Sequence, residues 1–145
     1  MAYKKILVPV DGSSRADTAA RHAAELASKM DAALVLFHVV PIMPVYTGRY
    51  GQVSDAYSLI NDQLEESGKE ILERTEKGIA PYQIKVETKM VRGIPAQEIC
   101  QEAGDGGYDL LVMGSRGLSD IKGYLMGSVS NRVSRHAPCP VLIVR

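Results

Sequence analysis

Apolar positions along this chain follow two alternating rhythms. Five short runs are continuously apolar or alternate strictly: residues 5–10 (KILVPV), 33–40 (ALVLFHVV), 83–92 (QIKVETKMVR), 109–113 (DLLVM) and 141–144 (VLIV). Four segments between them repeat their apolar residues three and four positions apart, the spacing of one helix face. Strands that alternate with helices predict right-handed βαβ units and a mostly parallel sheet.

Each helical segment carries its own start and stop signals. The first follows Ser13-Ser14, with Ser14 and Asp17 at capping-box spacing, and carries a small-residue stripe of Ala16, Ala19, Ala20, Ala23, Ala24 and Ala27 suited to close packing on a sheet. The second spans about residues 54–77, with Tyr57, Ile60, Leu64, Ile71 and Leu72 expected inward and Gly78 as its stop. Glu65/Lys69, Glu70/Arg74 and Glu73/Lys77 stand at i,i+4 spacing on its outer face. The third begins at Ile94-Pro95 and is expected to end before Gly104. The fourth lies between Gly127 and His136, stopped by Ala137-Pro138-Cys139-Pro140.

Strand patterning also suggests an order. The second and fourth runs are apolar without alternation, as expected where helices cover both faces of a sheet. The third alternates Ile84, Val86, Thr88 and Met90 against Lys85, Glu87 and Lys89, which suits an edge with one partly wet face. The result is an α/β fold of one domain over residues 1–145: an open, Rossmann-like five-stranded parallel sheet of order 3-2-1-4-5 with helices on both faces. Pro9 stands in tension with this order, because proline removes a ladder donor and is unusual in a central strand. Residues 41–53 (PIMPVYTGRYGQV) form a long connection, and such connections are either functional lids or poorly ordered.

Composition narrows the partners. The chain has 145 residues, enough for one core without a disulfide or metal staple. Seventeen basic residues balance seventeen acidic ones, so no global field draws the chain to nucleic acid or to an anionic membrane. No apolar stretch reaches the length of a membrane span, and the first apolar run is too short and too early for a signal peptide. A cytoplasmic protein is expected. Cys100 and Cys139 lack any CxxC or His pattern and read as small buried thiols in a reducing compartment, with a disulfide or metal role left open.

In the order 3-2-1-4-5 the connections after strands one and four leave in opposite directions, and a crevice opens between them at the carboxyl ends of the strands. Two loops meet there: Asp11-Gly12-Ser13-Ser14 and the run GSRGLSDIKGYLMGS, which spaces its glycines as Gly114-x2-Gly117-x9-Gly127-Ser128. Gly114 and Gly117 would let the backbone approach an anion and aim successive N–H groups inward. Gly127-Ser128 would open a helix whose free amides and positive dipole end favour phosphate. The alternative is a tight turn followed by a plain helix cap. Neither a dinucleotide GxGxxG nor a Walker GxxxxGK[ST] is present.

This spacing resembles the nucleotide-binding signature, GxxGx9G[ST], of the ATP-binding branch of the universal stress protein family. The resemblance extends through ILVPVDGS, VRGIPAQEI, DLLVMGSRG and GSVSNRVSRHAPCPVLIVR, and lacks a diagnostic pattern only over residues 41–53. It implies that Asp11 lies near ribose and phosphate, where it either bonds a hydroxyl or helps hold Mg²⁺; its plain reading is a helix cap. The family lays adenine against the backbone at the positions of Val39 and Val40, which are otherwise core. Gly114, Gly117, Gly127 and Ser128 match the phosphate and ribose site, with Val129 adding its backbone. Pro9, Val10, Gly12, Ser13, Met113, Ser115 and Arg116 line the same loops. Arg116 and Lys122 read either as phosphate contacts or as solvated loop charges.

No catalytic constellation accompanies the cradle. His22, His38 and His136 are scattered, and no Ser/His/Asp order, carboxylate pair or Walker lysine can be argued from spacing. The expected function is an ATP-binding switch or sensor in the stress response (AMP or ADP being possible occupants), with Mg²⁺ entering through the phosphates and little or no hydrolysis. Two alternatives stand beside it: a slow ATPase or phosphotransferase working beneath residues 41–53, and a dimeric stress adaptor that binds no nucleotide. The apolar strand 141–144 at the sheet's edge, with the family's habit, implies a homodimer through that strand. A protein partner of unspecified kind is expected; nucleic acid and membrane are not.

Overall fold

The computed structural model describes residues 2–42, 55–117 and 126–145. Five strands form one parallel sheet in the order β3-β2-β1-β4-β5: β1 Lys5–Pro9, β2 Ala33–Pro41, β3 Val86–Gly93, β4 Leu110–Gly114 and β5 Val141–Val144. Four helices connect them: α1 Ser14–Met30, α2 Asp55–Ile79, α3 Pro95–Asp105 and α4 Ser128–His136. The order expected from strand patterning is the order observed.

Period-two alternation divides the continuous apolar runs between two cores. Ile6, Val8, Val10, Leu34, Leu36, Leu110 and Val112 face the alanine stripe of α1 together with Leu72 and Ile79 of α2. Leu7, Val35, Phe37, Val39, Leu111 and Met113 face Ile99 and Ala103 of α3 and Val133 of α4. Runs without polar positions are what a sheet covered on both faces requires.

The tension at Pro9 resolves in the ladder. Lys4 offers its carbonyl to Ala33 and Val10 donates to the Phe37 carbonyl (2.8 Å), so even-numbered residues of β1 bond towards β2. Lys5 accepts from Asp109, so odd-numbered residues face β4. The β1–β4 register covers only Ile6–Leu110 and Leu7–Leu111. Pro9 therefore lacks its donor on the side where the two strands have already parted.

Several local expectations are corrected. Ser13, not Ser14, caps α1: its Oγ accepts from the Ala16 amide at 3.1 Å, while Asp17 sits in the first turn. Gly78 lies inside α2, which runs on to Ile79 and into a 3-10 turn at Ala80–Tyr82; Gln83 closes that turn at φ 54°, and β3 starts only at Val86. Gly104 is likewise internal to α3. The buried stripe of α2 passes through Asn61, Gly68, Leu72, Thr75 and Ile79; Leu64 and Ile71 are half-buried, whereas Ile60 is exposed. Gly68 sets that face, because a Cβ there would stand 2.7 Å from His38 Cδ2 and 2.8 Å from Met90 Sδ.

Charges of α2 expected to pair at i,i+4 find other partners. Glu65 meets Arg92 of β3, Arg74 lies 3.7 Å from Asp17 of α1, and Lys69 reaches Glu66 at i,i+3. Cys100 and Cys139 are free and half-buried rather than fully buried, and burial pushes both thiols up from their ordinary value. Among the described residues no helix is long and apolar enough to cross a membrane. No group of three or more metal-ligating side chains gathers among them either.

Candidate functional site

Where β1 and β4 part, a cleft of about 320 Å³ opens at the carboxyl ends of the strands. Pro9, Val10 and Asp11 bring the end of β1 to it, Val39 the end of β2, and Met113, Gly114, Arg116 and Gly117 the end of β4 with the residues that follow. Ser128 and Val129 of α4 complete the opposite wall. The remaining candidates stand behind this lining. Val40 is 1% exposed within the sheet, Gly12 and Ser13 sit in the turn before α1, and Ser115 and Gly127 are buried. Lys122 and residues 43–53 lie outside the described residues.

Local chemistry explains each part. Asp11 Oδ1 accepts from the Ser13 amide at 3.0 Å, folding the β1–α1 turn, and Ser13 then caps α1. This places the Asp11 carboxylate at the cleft, with the capping role left to Ser13. Gly12 takes φ +89°, a backbone conformation that glycine adopts without a Cβ penalty. Arg74 of α2 donates to its carbonyl at 3.1 Å, so α2 is fastened to the turn that carries Asp11. At Gly114 a Cβ would stand 3.1 Å from the backbone of Arg15; that glycine lets the start of α1 press against the end of β4.

The start of α4 is set by two further bonds. Gly127 donates its amide to the Ser115 carbonyl at 2.7 Å, and Ser115 donates its own to Val144 at 2.9 Å. The amide of Gly127 is thereby committed within the protein. Ser130, buried, donates its hydroxyl to the Gly114 carbonyl at 2.6 Å. Gly127 is the N-cap and supplies no side-chain cap, and the first helical bond runs from Asn131 to the Gly127 carbonyl. The amides of Ser128, Val129 and Ser130 occupy the first turn, where no helical acceptor exists, and all three residues line the cleft. Amides without helical acceptors and the positive end of the helix dipole favour an anion there.

The rest of the lining is apolar and escaped the sequence reading. Phe37, Pro41, Leu64, Ile71, Pro95 and Ile99 border the cleft, joined by His38 and Ser67. Leu64, Ser67 and Ile71 come from α2, so a helix remote in sequence forms one wall. The signal for Ser130 was the second serine of GSVS at the third helical position. For His38 it was one polar residue inside an apolar run. The arrangement suits an elongated ligand with an anionic end at α4 and a flat, largely apolar end between β2 and α2.

An open parallel sheet with a cleft at the point where its strand order reverses defines the class: a doubly wound α/β domain. The chain belongs to the universal stress protein family, whose model matches residues 2–145. It is 38% identical over 143 residues to universal stress protein MJ0531 of Methanocaldococcus jannaschii, covering 99% of this chain and 82% of that one. The structure of protein MJ0577 from the same organism superposes with a TM-score of 0.84 at 32% identity, covering 99% of this chain and 96% of that one. A universal stress protein from Archaeoglobus fulgidus, solved in complex with dAMP, matches with a TM-score of 0.70 at 25% identity over 100% of both chains.

Proposed function

We propose that this protein binds an adenine nucleotide, ATP by preference over AMP or ADP, in the cleft between β1 and β4, and serves as a nucleotide-dependent switch in the stress response with little or no hydrolysis. The observation that carries the reading is the first turn of α4. Ser128, Val129 and Ser130 bring amides without helical acceptors to the same cleft as Gly114, Gly117 and Asp11, while Val39 and the α2 side chains offer a flat apolar surface. The dAMP complex of the Archaeoglobus fulgidus relative supports an adenine nucleotide as the occupant. Magnesium is held in proteins by one or two carboxylates together with phosphate oxygens, and Asp11 would contribute such a carboxylate. The two free thiols suit a reducing cytoplasm. A homodimer through Val141–Val144 and a protein partner that reads the bound state complete the proposal.

The test is calorimetric titration with Mg-ATP of the wild type and of Ser128→Pro. Proline is tolerated at the first helical position, and Gly127 already has the extended ψ of 160° that a following proline requires. The substitution removes one amide donor and one hydroxyl while leaving the helix in place. Micromolar binding by the wild type and at least tenfold weaker binding by the variant is the expected result. A folded wild type that takes up no nucleotide would overturn the reading.

A further inference from the structure

His38 is 7% exposed, borders the cleft and stands as the one polar side chain in the apolar run of β2. Its two ring nitrogens are in different situations. Nδ1 lies 2.8 Å from the carbonyl oxygen of Val10, which can only accept, so Nδ1 carries the hydrogen. In the neutral ring Nε2 is then a lone-pair acceptor. Among the described residues nothing donates to it.

α2 crosses this edge of the ring at Gly68, where a Cβ would stand 3.1 Å from Nε2, and the next residue along the helix towards its start, Ser67, also borders the cleft. Among the described residues the buried side-chain atom sealed from solvent without a partner is Asp17 Oδ1, so Nε2 stays within reach of solvent, and a ligand donor entering the cleft would take the place of water there. A pocket that offers a fixed acceptor also discriminates, because an analogue lacking the donor forfeits that hydrogen bond.

We propose that His38 is a recognition residue of this cleft: its Nε2 accepts a hydrogen bond from an N–H or O–H donor of the bound nucleotide. The inference rests on the nucleotide reading above and deepens it by naming what selects the ligand. Two donors on an adenine nucleotide have this chemistry, the 6-amino group of the base and a ribose hydroxyl. If the amino group is the donor, a 6-oxo base presents an acceptor to an acceptor and is rejected; if a ribose hydroxyl is, the corresponding deoxy analogue is.

Two substitutions separate recognition from support of the fold. Asn places its amide near the position of Nδ1 and can keep the bond to Val10, but offers nothing at Nε2. Gln reaches the position of Nε2 with a carbonyl oxygen and gives up the Nδ1 position. The full chain, as wild type, His38→Asn and His38→Gln, is titrated with the magnesium complexes of ATP, ITP, 2′-deoxy-ATP and 3′-deoxy-ATP. The wild type is expected to disfavour one analogue by about tenfold, the worth of one neutral hydrogen bond, and that analogue identifies the donor. His38→Asn is expected to bind ATP as weakly as that analogue, with the preference gone, and His38→Gln to retain part of it. Imidazole ¹⁵N spectra should show the Nε2 resonance moved by ATP and left in place by the same analogue. Equal affinity of the wild type for all four, or a His38→Asn variant that weakens all four alike, would overturn the role of His38 and leave nucleotide binding standing. A wild type that binds none of them would overturn both.

Discussion

Ser130 donates its hydroxyl hydrogen to the carbonyl oxygen of Gly114 over 2.6 Å, and this bond fastens the first turn of α4 to the end of β4. The two residues are sixteen positions apart, on either side of the glycine-spaced run. Ser130→Ala leaves the Gly114 carbonyl buried without that donor, so we expect a loss of about 1–2 kcal/mol in unfolding free energy by urea titration. Ser130→Thr, which keeps the hydroxyl, should recover most of it. If α4 is the anion-binding element, the alanine variant also binds Mg-ATP more weakly and the threonine variant does not.

The β1–α1 turn is the second place where backbone and site coincide. Gly12 stands at φ +89°, and a Cβ there would lie 3.0 Å from Ile71 Cδ1. Gly12→Ala meets both strain and a crowded α2 wall, and should cost about 1–3 kcal/mol. Arg74→Ala removes the donor to the Gly12 carbonyl, but that arginine is 59% exposed and its loss should stay below about 1 kcal/mol. Thermal melts that rank the two in the opposite order would show that the clamp, not the turn conformation, stabilises this corner.

β5 is one of the sheet's two outer strands, and Val141, Leu142 and Ile143 are only half-buried in one copy. An apolar edge of this kind is usually covered. We expect light scattering after size exclusion to give twice the chain mass, and Leu142→Lys to give the monomer mass by burying a charge in the joint. A monomeric wild type would remove the dimer from the proposal.

Alkaline pH should weaken the fold in a defined direction. Burial raises the thiols of Cys100 and Cys139 above their ordinary 9.0, with the neighbouring Asp109 and Cys100 adding to the effect at Cys139, and Arg132 opposing it at Cys100. The folded chain therefore keeps protons that the unfolded chain releases. The stability tied to these thiols is fully present below pH 9 and is lost as pH rises through their raised folded values. Urea midpoints should fall from pH 8 to pH 10.5, and the double variant Cys100→Ala/Cys139→Ala should fall less steeply over the same range. Tyr108, raised by burial and by its hydrogen bond to Glu102, adds to the alkaline decline in the same direction in both proteins.

The polar and apolar pattern by itself determined the five strands, the helices between them and the order 3-2-1-4-5, because which face of a strand is wet depends on its place in the sheet. It also singled out the two loops that meet at the cleft, because the topology alone fixes where the strand order reverses. Element ends were less legible. Gly78 and Gly104 read as stops yet lie inside helices, where packing outweighs a glycine's modest helix cost. The tertiary structure alone decided which face of α2 is buried, since that follows from Gly68 resting on His38 and Met90, and which charges pair, since Arg92 and Asp17 reach α2 from elsewhere in the fold. It also decided that Gly127 spends its amide on Ser115, and that His38 borders the cleft with its Nδ1 engaged by the Val10 carbonyl. Periodicity along a chain reports what each residue faces on average, whereas a hydrogen bond between residues far apart in sequence depends on distances that exist only once the elements are packed.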